Sequence, residues 1–490
     1  MTTTTETGAS SKPAKKVAHL TPKQRSLLGK EARARVPRAS HADFEPARDR
    51  PDPVSLLERQ AVSRVPELVP IRYGRMLVSP FTFYRGAALI MASDLARTPA
   101  SGLTTQVCGD AHLSNFGLFA SPERSMMFDV NDFDETLPGP WEWDLKRLAA
   151  SVVIAGRDQS FSKKDCAVGA KAVGTSYREE MRRLAASGNL DVWYSHVDIE
   201  EIIAGLTAQA GRQKSKAATQ AAAQMASKAS SIVAKSRTKD SLQAQDKLTE
   251  VVAGRRRIVS DPPLIVPLAE LSAEHQPDAL LESLQQMVHS YRRTLQTDRR
   301  HLLEGFELVD VARKVVGVGS VGTRAWILLF QGRDGDDPLF LQAKEAESSV
   351  LEEFVGKSQY ANHGERVVAG QHLMQAASDI FLGWQQAEGL DGVTRDFYVR
   401  QLRDWKGSFD VEGSIPKGLA TYAGICAQAL ARAHARSGDR IAIASYLGSG
   451  TTFDDALADF AESYADQNER DYDEFKKAVA DGRIRAESGL

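Results

Sequence analysis

The sequence has few cysteines, no excess of either charge and no long apolar run. Its three cysteines, Cys108, Cys166 and Cys426, form no CxxC pair, which disfavours a disulfide framework or a zinc site and favours a reducing compartment. With 62 basic and 64 acidic side chains the net charge is −2, so the basic excess of a nucleic-acid binder is missing. Neither a membrane span nor the apolar core of a signal peptide is evident. We therefore expect a cytoplasmic protein with no membrane partner.

The remaining composition is that of an ordinary globular protein, with 42% hydrophobic residues over 490 positions. Residues 1–45 are poor in aromatic residues and predict a disordered tail. Residues 46–310 begin with aromatic clusters and polar loops and continue with helical spacing. A strand-like texture follows over 311–410, and helical patterns return over 411–490. The order predicts an α+β fold with a large, mainly helical part and a small antiparallel sheet.

One stretch of the helical part is strongly basic. Between residues 212 and 240 a single acid, Asp240, stands against seven basic residues. A solvated face of an Ala-rich helix is the ordinary interpretation, and a site for an anionic partner or substrate is the alternative. The basic residues are Arg212, Lys214, Lys216, Lys228, Lys235, Arg237 and Lys239.

The segment GVGSVG at 317–322 lies between two apolar, strand-like runs. A dinucleotide-binding fingerprint requires a helix after the glycines, whereas here RAWILLF and then a second strand follow an Asp334-Gly335 turn. This order favours a glycine-rich hairpin that covers nucleotide phosphates, with Lys344 on the next strand as their cation. The carboxylate that orients Lys344 is ambiguous among Glu347, Glu352 and Glu353, with Glu352 slightly favoured. The predicted nucleotide-binding residues are Gly317, Gly319, Ser320, Gly322, Lys344 and Glu352.

A second group of polar residues lies in two loops nearer the N-terminus. The first loop reads CGDAHLSN from Cys108, and the second reads NDFDE from Asn131. An Asp followed five residues later by Asn, and then by further Asp residues, suits phosphoryl transfer, because one carboxylate can accept a proton while an amide oxygen and another carboxylate hold Mg²⁺. Asp and Asn also form ordinary turns beside glycine, which is the alternative interpretation.

GDAHLSNFG, NDFDE and WDL together resemble the signatures of the aminoglycoside phosphotransferase and choline kinase branch of the protein-kinase-like superfamily. With RYGRMLVSPFTFYRGAA, GVGSVGTR, LQAKEA and LARAHARSGD included, nearly everything after residue 45 resembles an uncharacterised bacterial family, domain of unknown function 2252. The resemblance implies a two-lobed kinase-like fold. It also implies a catalytic base at Asp110, an orienting loop histidine at His112, metal ligands at Asn115 and Asp132 with Asp134 as helper, and a loop-stabilising Asp144. Cys108 departs from this pattern, since the kinase branch often has His there.

The order of these motifs departs from that of kinases, because Gly317 and Lys344 follow Asp110 by about two hundred residues. The helix ending LARAH at His434 resembles the one that usually precedes the catalytic loop. The resemblance therefore implies a circular permutation with the break between that helix and the loop. By the same analogy, Arg400 to Leu402 would be the hinge that meets adenine.

The expected function is an ATP- and Mg²⁺-dependent phosphotransferase acting on a hydroxyl of a small molecule or a protein. Two alternatives stay open: AMP transfer on the same fold, and an ATP-binding regulatory module without turnover. Arg85 and Arg147 are candidates for phosphate contact or for structural ion pairs, and His434 is interpreted as a packed helix residue rather than a ligand.

Overall fold

The computed structural model describes residues 19–212, 216–252, 254–271, 286–389 and 391–489, without the side chains of 206 and 209–225. Its helices and strands alternate irregularly, and all the strand pairs are antiparallel. Within these residues no helix has both the length and the apolar character to cross a membrane.

Helices make up most of the described chain. They are α1 (Pro22–Arg35), α2 (Pro53–Ala61), α3 (Val69–Met76), α4 (Pro80–Arg85), α5 (Ala88–Leu95), α6 (Trp141–Asp158), α7 (Lys163–Ala185), α8 (Asn189–Tyr194), α9 (Ile199–Arg212), α10 (Lys216–Arg237), α11 (Ser241–Leu248), α12 (Leu268–Leu271), α13 (described over 286–292), α14 (Thr297–Glu304), α15 (Glu352–Val355), α16 (His363–Met374), α17 (Pro416–Ser437), α18 (Arg440–Leu447) and α19 (Thr452–Ala480).

The strands are short and belong to four sheets, of which the largest has the order β12-β13-β11-β10-β9-β8. They are β1 (Thr104–Val107), β2 (Phe116–Ala120), β3 (Met126–Val130), β4 (Leu137–Pro140), β5 (Val197–Asp198), β6 (Thr249–Val252), β7 (Arg255–Ile258), β8 (Ile265–Pro267), β9 (Glu307–Lys314), β10 (Ala325–Gln331), β11 (Pro338–Ala346), β12 (Gly383–Glu388) and β13 (Thr394–Gln401).

The main core lies among α6, α7, α17 and α19. Helix α6 is buried along nearly its whole length, and at its start the Trp141 ring stacks on Tyr177 with centroids 5.5 Å apart. Small residues let α7 and α17 approach closely, as a Cβ added to Gly424 would lie 2.8 Å from the Ser176 hydroxyl oxygen. Dispersion and apolar burial in this dense core fix the loops that leave it.

The predicted glycine hairpin is confirmed as a structural element. Strands β9 and β10 pair antiparallel on either side of residues 315–324, and β10 pairs with β11 across the predicted Asp334-Gly335 turn. Gly317 and Gly322 have φ of 65° and 91°, a region that favours glycine because other side chains collide there with the backbone.

The expectation of a disordered tail is wrong for its second half. Residues 1–18 lie outside the described residues, but α1 is helical over Pro22–Arg35. Thr21 and Gln24 form a capping box, and Gly29 fits closely against Ala442 of α18. The part with helical spacing also contains the short strands β6 to β8, where Gly254 at φ 76° allows a tight hairpin turn.

Candidate functional site

The loop 108–115 between β1 and β2 is held by a single buried carboxylate. Asp144, on the first turn of α6, accepts hydrogen bonds from the backbone N–H groups of Cys108 (2.7 Å) and Gly109 (2.9 Å). Gly109 has φ 82°, and a Cβ there would lie 2.6 Å from the Glu135 carbonyl oxygen. The loop therefore requires glycine at 109, and Asp144 fixes its backbone as the resemblance implied.

Asp144 has a supporting partner that the sequence did not reveal. His434, fully buried on α17, lies with Nε2 3.2 Å from Asp144 Oδ2, and its Nδ1 is 2.9 Å from the Tyr177 hydroxyl. The prediction that His434 is a packed helix residue is confirmed by its burial. Its contact with Asp144 spans 290 positions in sequence, so no local pattern could have indicated it.

Asp110 points from this loop into a cleft and is held by an arginine. Arg147 Nε and Nη2 lie 2.8 and 2.6 Å from Asp110 Oδ1, and Nη2 also donates to the Tyr84 carbonyl at 2.8 Å. Burial raises the pKa of Asp110 to about 6, against the opposing effect of Arg147. Asp110 is thus largely ionised at neutral pH, and Arg147 is a structural ion-pair partner.

His112 is buried behind Asp110. Its Nδ1 accepts from the Ser114 backbone N–H at 3.2 Å, and its Nε2 lies 3.7 Å from Asp110 Oδ2. Burial, followed by the charges of Arg85 and Arg147, lowers the pKa of His112 well below its ordinary value. The ring is neutral, and its position beside Asp110 suits the orienting role that the resemblance implied.

Asn115, Asp132 and Asp134 line the same cleft. Asn115 Nδ2 donates to the Asp110 carbonyl at 2.7 Å, and Asp132 Oδ1 accepts from the Asp134 backbone N–H at 3.3 Å. Oxygen ligands of this kind suit Mg²⁺, which keeps several waters and needs few protein ligands. In the described part of the chain, no group of three or more His, Cys, Asp or Glu is arranged to hold a metal.

Lys344, near the end of β11, bridges the sheet to these acidic residues. Its ammonium is paired with Asp134 and lies 3.7 Å from Asp132 Oδ2, while Tyr398 donates to Asp134 at 2.7 Å. Burial alone would raise the pKa of Asp134, but Lys344 and Tyr398 hold it below its ordinary value. Burial and the neighbouring Asp134 charge raise the pKa of Asp132. The site therefore contains a buried, charged Lys-Asp pair.

The expected carboxylate partner of Lys344 is wrong. Glu352 lies 3.9 Å from His363, and Glu353 pairs with Arg59 on the surface at 2.7 Å. Helix α15, which carries both, has only four residues. In the described chain the ion pairs of Lys344 are with Asp132 and Asp134 and not with Glu347, Glu352 or Glu353. The longer helix α16 instead contributes Arg366, which donates to the backbone carbonyls of Asp134 and Thr136, both at 2.8 Å.

The glycine hairpin covers the cleft from the sheet side. Ser320 Oγ lies 3.4 Å from Asp134 Oδ2, and a Cβ added to Gly319 would lie 3.2 Å from the Arg85 carbonyl oxygen. The hairpin is fixed from outside, because the Val65 N–H donates to the Gly322 carbonyl at 2.8 Å. Segments far apart in sequence thus enclose one cavity of about 220 Å³.

Most of the predicted site residues meet in this cavity. Lys344 lies behind the wall formed by its acidic partners, and Gly322 and Glu352 are not part of the lining. Sequence reasoning gave no role to Arg64, Arg72 and Glu135, which also belong to the lining. Arg72 and Glu135 lie in the quoted segments RYGRMLVSPFTFYRGAA and NDFDE, whereas Arg64 lies in none. The predicted residues in the wall are Asp110, His112, Asn115, Asp132, Asp134, Gly317, Gly319 and Ser320.

Two other predicted features lie farther from the cavity. Arg400 ends its strand close to the acidic loop and donates to the Asn131 carbonyl at 2.8 Å, and the hinge role of 400–402 stays a prediction. In the basic stretch, residues 213–215 and the side chains up to 225 are outside the described residues. Lys228 donates to the Gly413 carbonyl at 3.2 Å, and Arg237 pairs with Glu200 at 3.0 Å. Both interpretations of that stretch stay open.

Comparison with known proteins gives one match. Searches of curated proteins and of solved structures found no significant similarity. A family model described as "Uncharacterized protein conserved in bacteria (DUF2252)" matches residues 64–478. This span includes every residue that lines the cavity except Gln60 and Ser63. Because the match covers most of the chain, the protein belongs to the DUF2252 family.

Proposed function

We propose that the protein is an ATP- and Mg²⁺-dependent phosphotransferase that moves the γ-phosphoryl group to a hydroxyl. The observation that carries the proposal is the ion pair of Lys344 with Asp134. It joins a strand that follows a glycine hairpin to an acidic loop 210 positions away in sequence, beside Asp110 and Asn115. Protein kinases combine these parts to hold nucleotide phosphates and metal.

The proposed fold is a circularly permuted, two-lobed kinase-like fold. It is supported by the contact between the end of α17 and β1, the strand that leads into the loop 108–115. Ser437 Oγ accepts a hydrogen bond from the Gln106 backbone N–H at 3.2 Å, although the two are 331 positions apart. A short link here would restore the usual kinase order, in which this helix directly precedes the loop. The chain departs from the kinase pattern at α16, where Arg366 contacts the backbone of the acidic loop and no Lys-Glu ion pair is formed with Lys344.

In the proposed reaction the acceptor oxygen forms a bond to the γ-phosphorus and the bond to the β-phosphate oxygen breaks, releasing ADP. Asp110 accepts the hydroxyl proton, and Arg147 keeps its carboxylate in position. Lys344 holds nucleotide phosphates, and Gly317 and Gly319 let the hairpin backbone approach them. Asn115 and Asp132, with Asp134, would hold Mg²⁺, which supplies neutralisation of phosphate charge.

Thermal unfolding with ATP, with and without Mg²⁺, tests the nucleotide assignment. At about one hundred times its dissociation constant a ligand stabilises the native state by about 2.7 kcal/mol. We expect a Mg²⁺-dependent rise of the midpoint that is lost in Lys344→Ala and Asp132→Asn. Lys357→Ala, an exposed lysine beyond α15, is the matched control and should keep the rise. No rise under any nucleotide and metal condition would refute the assignment.

Isotopic labelling tests the reaction itself. With a panel of hydroxyl acceptors, label from γ-labelled ATP should appear in product, and label from α-labelled ATP should not. The opposite result would establish AMP transfer. ATP binding with no transfer to any acceptor would favour a regulatory module. Asp110→Asn should reduce transfer by about 10²- to 10⁴-fold, the usual contribution of a general base.

A further inference from the structure

Three arginines from the N-terminal part of the chain line the cavity, and none of them has a role in the reaction proposed above. Arg64 precedes α3, Arg72 lies within α3 and Arg85 ends α4. All three line the same 220 Å³ cavity as Asp110. We call these three residues the arginine pocket.

The guanidinium groups of the arginine pocket are incompletely hydrogen-bonded among the described residues. Arg72 is 1% exposed, and its Nε and Nη1 have no partner there, while Nη2 donates to the Gly86 carbonyl at 2.9 Å. Arg64 is 9% exposed and its Nε lacks a partner, although Nη1 donates to the Val321 carbonyl. The buried Nε of Arg85 is likewise unsatisfied. Buried N–H groups without acceptors are costly.

The carboxylates facing the cavity do not neutralise these arginines. Four of them have other cationic partners: Asp110 has Arg147, Asp132 and Asp134 have Lys344, and Glu345 has Arg324 and Arg395. Glu135 and Glu347 remain. The negative charges of both act on Arg64, and those of Asp110 and Glu412 act on Arg85.

Glu135 is itself only partly available as a counter-charge. Its Oε2 accepts from the Val350 backbone N–H at 2.7 Å, and burial raises its pKa to about 7. Arg72 has no carboxylate among its electrostatic neighbours: burial, followed by the charge of Arg64, lowers its pKa. Glu347 is thus the remaining counter-charge of Arg64, and Arg72 has none among its electrostatic neighbours in the described chain.

We propose that the arginine pocket binds a phosphate group of the acceptor, so that the acceptor is a hydroxyl compound that already carries a phosphate. Several guanidinium groups around a small cavity match the charge and the acceptor oxygens of a phosphate, which Arg binds in bidentate fashion. The acceptor role rests on the proposed function. Its support is that Arg85 lines the same cavity as Asp110, the proposed base, and feels its charge. Gly317 and Gly319, which we propose to cover the nucleotide phosphates, line that cavity too, so the tests below distinguish an acceptor phosphate from the γ-phosphate of the nucleotide.

Thermal unfolding in inorganic phosphate tests the pocket without any nucleotide. At constant ionic strength set with chloride, we expect the midpoint to rise saturably with phosphate. In Arg85→Gln the apparent phosphate affinity should fall at least tenfold. Arg59→Gln is the matched control, since Arg59 is half-exposed on α2 and pairs with Glu353 outside the cavity.

A second variant protects the test against a folding defect. Arg72→Met removes a buried charge, so the variant should fold and still lose the phosphate response. An unchanged response in both Arg85→Gln and Arg72→Met, or none in the wild type, would overturn the pocket. An equal response to acetate would overturn its preference for phosphate.

The source of the phosphate is tested with a non-hydrolysable ATP analogue and Mg²⁺. If the acceptor supplies the phosphate in the pocket, the rise in the unfolding midpoint caused by the analogue and the rise caused by inorganic phosphate should add. Loss of the phosphate response at saturating analogue would mean that the nucleotide's own γ-phosphate fills the pocket, which overturns the acceptor assignment. A phosphate response without any analogue response would refute the nucleotide assignment and leave the anion pocket standing.

Discussion

Two kinds of buried arginine meet at the cleft. Arg147 on α6 is 2% exposed and has a carboxylate, a backbone carbonyl and the Tyr84 ring, 4.0 Å from its guanidinium carbon, as partners. Arg72 on α3 is equally buried, yet it has no carboxylate partner among the described residues: its contacts are the Gly86 carbonyl, Gln60 at 3.3 Å and, 6.0 Å from its guanidinium carbon, the Tyr73 ring. Asp110 raises the pKa of Arg147, against burial, whereas burial lowers that of Arg72.

We interpret this difference as one between a cation that stabilises the fold and a cation that is available to the proposed ligand. A buried charge with a complete set of partners fixes its neighbours, and here Arg147 fixes Asp110. A buried charge without them costs stability and is retained where binding repays the cost. The comparison predicts a large loss of stability when Arg147 is replaced and no loss when Arg72 is replaced. For residues near them it predicts intermediate changes in stability.

The largest expected effect is the loss of the satisfied arginine. Arg147→Met leaves the Asp110 carboxylate without its cation and the Tyr84 carbonyl without its donor. We expect the free energy of unfolding to fall by about 3 kcal/mol, measured by urea denaturation at pH 7. A decrease below about 0.5 kcal/mol, the level of a surface substitution, would remove the distinction between the two arginines.

A buried lysine offers an intermediate case with a pH signature. Lys146 is fully buried, donates to the Thr98 hydroxyl at 2.9 Å and lies over the Phe460 ring. Burial lowers its pKa to about 8. Between pH 8 and the ordinary lysine pKa the unfolded chain binds more protons than the native state, so wild-type stability should rise with pH there.

Lys146→Met removes this titration, so the comparison is made between the two proteins. From pH 7 to pH 10 the wild type should gain about 2 kcal/mol relative to the variant. Parallel stability curves over this range would mean that Lys146 has a normal pKa and belongs with the fully satisfied cations.

Local patterns predicted the parts of the site that depend on neighbours in sequence. The glycine hairpin, the turn at Asp334-Gly335 and the strand carrying Lys344 followed from apolar runs and turn residues, and the loop at Asp110 followed from its motif. Each of these is a property of a short segment whose backbone has few alternatives.

Contacts between distant segments could not be predicted in the same way. The carboxylate paired with Lys344 is Asp134 rather than Glu352, because the length of α15 and the course of the chain after β11 decide which acid reaches the ammonium. The support of Asp144 by His434 and the position of Arg72 depend on how whole helices pack. In sequence, Arg72 begins the segment RYGRMLVSPFTFYRGAA, which contributes to the family resemblance but does not indicate that the side chain reaches the cavity.

A smaller effect is expected where the glycine hairpin meets the arginine pocket. Gly322 has φ 91°, and a Cβ there would lie 3.0 Å from the Arg64 side chain. Gly322→Ala should lower the free energy of unfolding by about 1–2 kcal/mol through backbone strain and contact with Arg64. Gly335→Ala is the control, because a Cβ there meets nothing within 4 Å and its φ is not in the positive range. Equal changes in the free energy of unfolding for Gly322→Ala and Gly335→Ala would show that Arg64 and the hairpin adapt to the added methyl group without loss of stability.

The smallest effect has the opposite sign and separates the two arginines most clearly. Arg72→Met removes an uncompensated buried charge but leaves the Gly86 carbonyl and Gln60 without a donor, so the two effects partly cancel. We expect stability in chloride buffer to be unchanged or raised by about 1 kcal/mol. Urea denaturation of Arg72→Met beside Arg147→Met measures both under one condition. A loss of about 3 kcal/mol in Arg72→Met as well would mean that Arg72 is a structural residue, fully compensated in the native protein, and that the anion pocket has no free charge to offer.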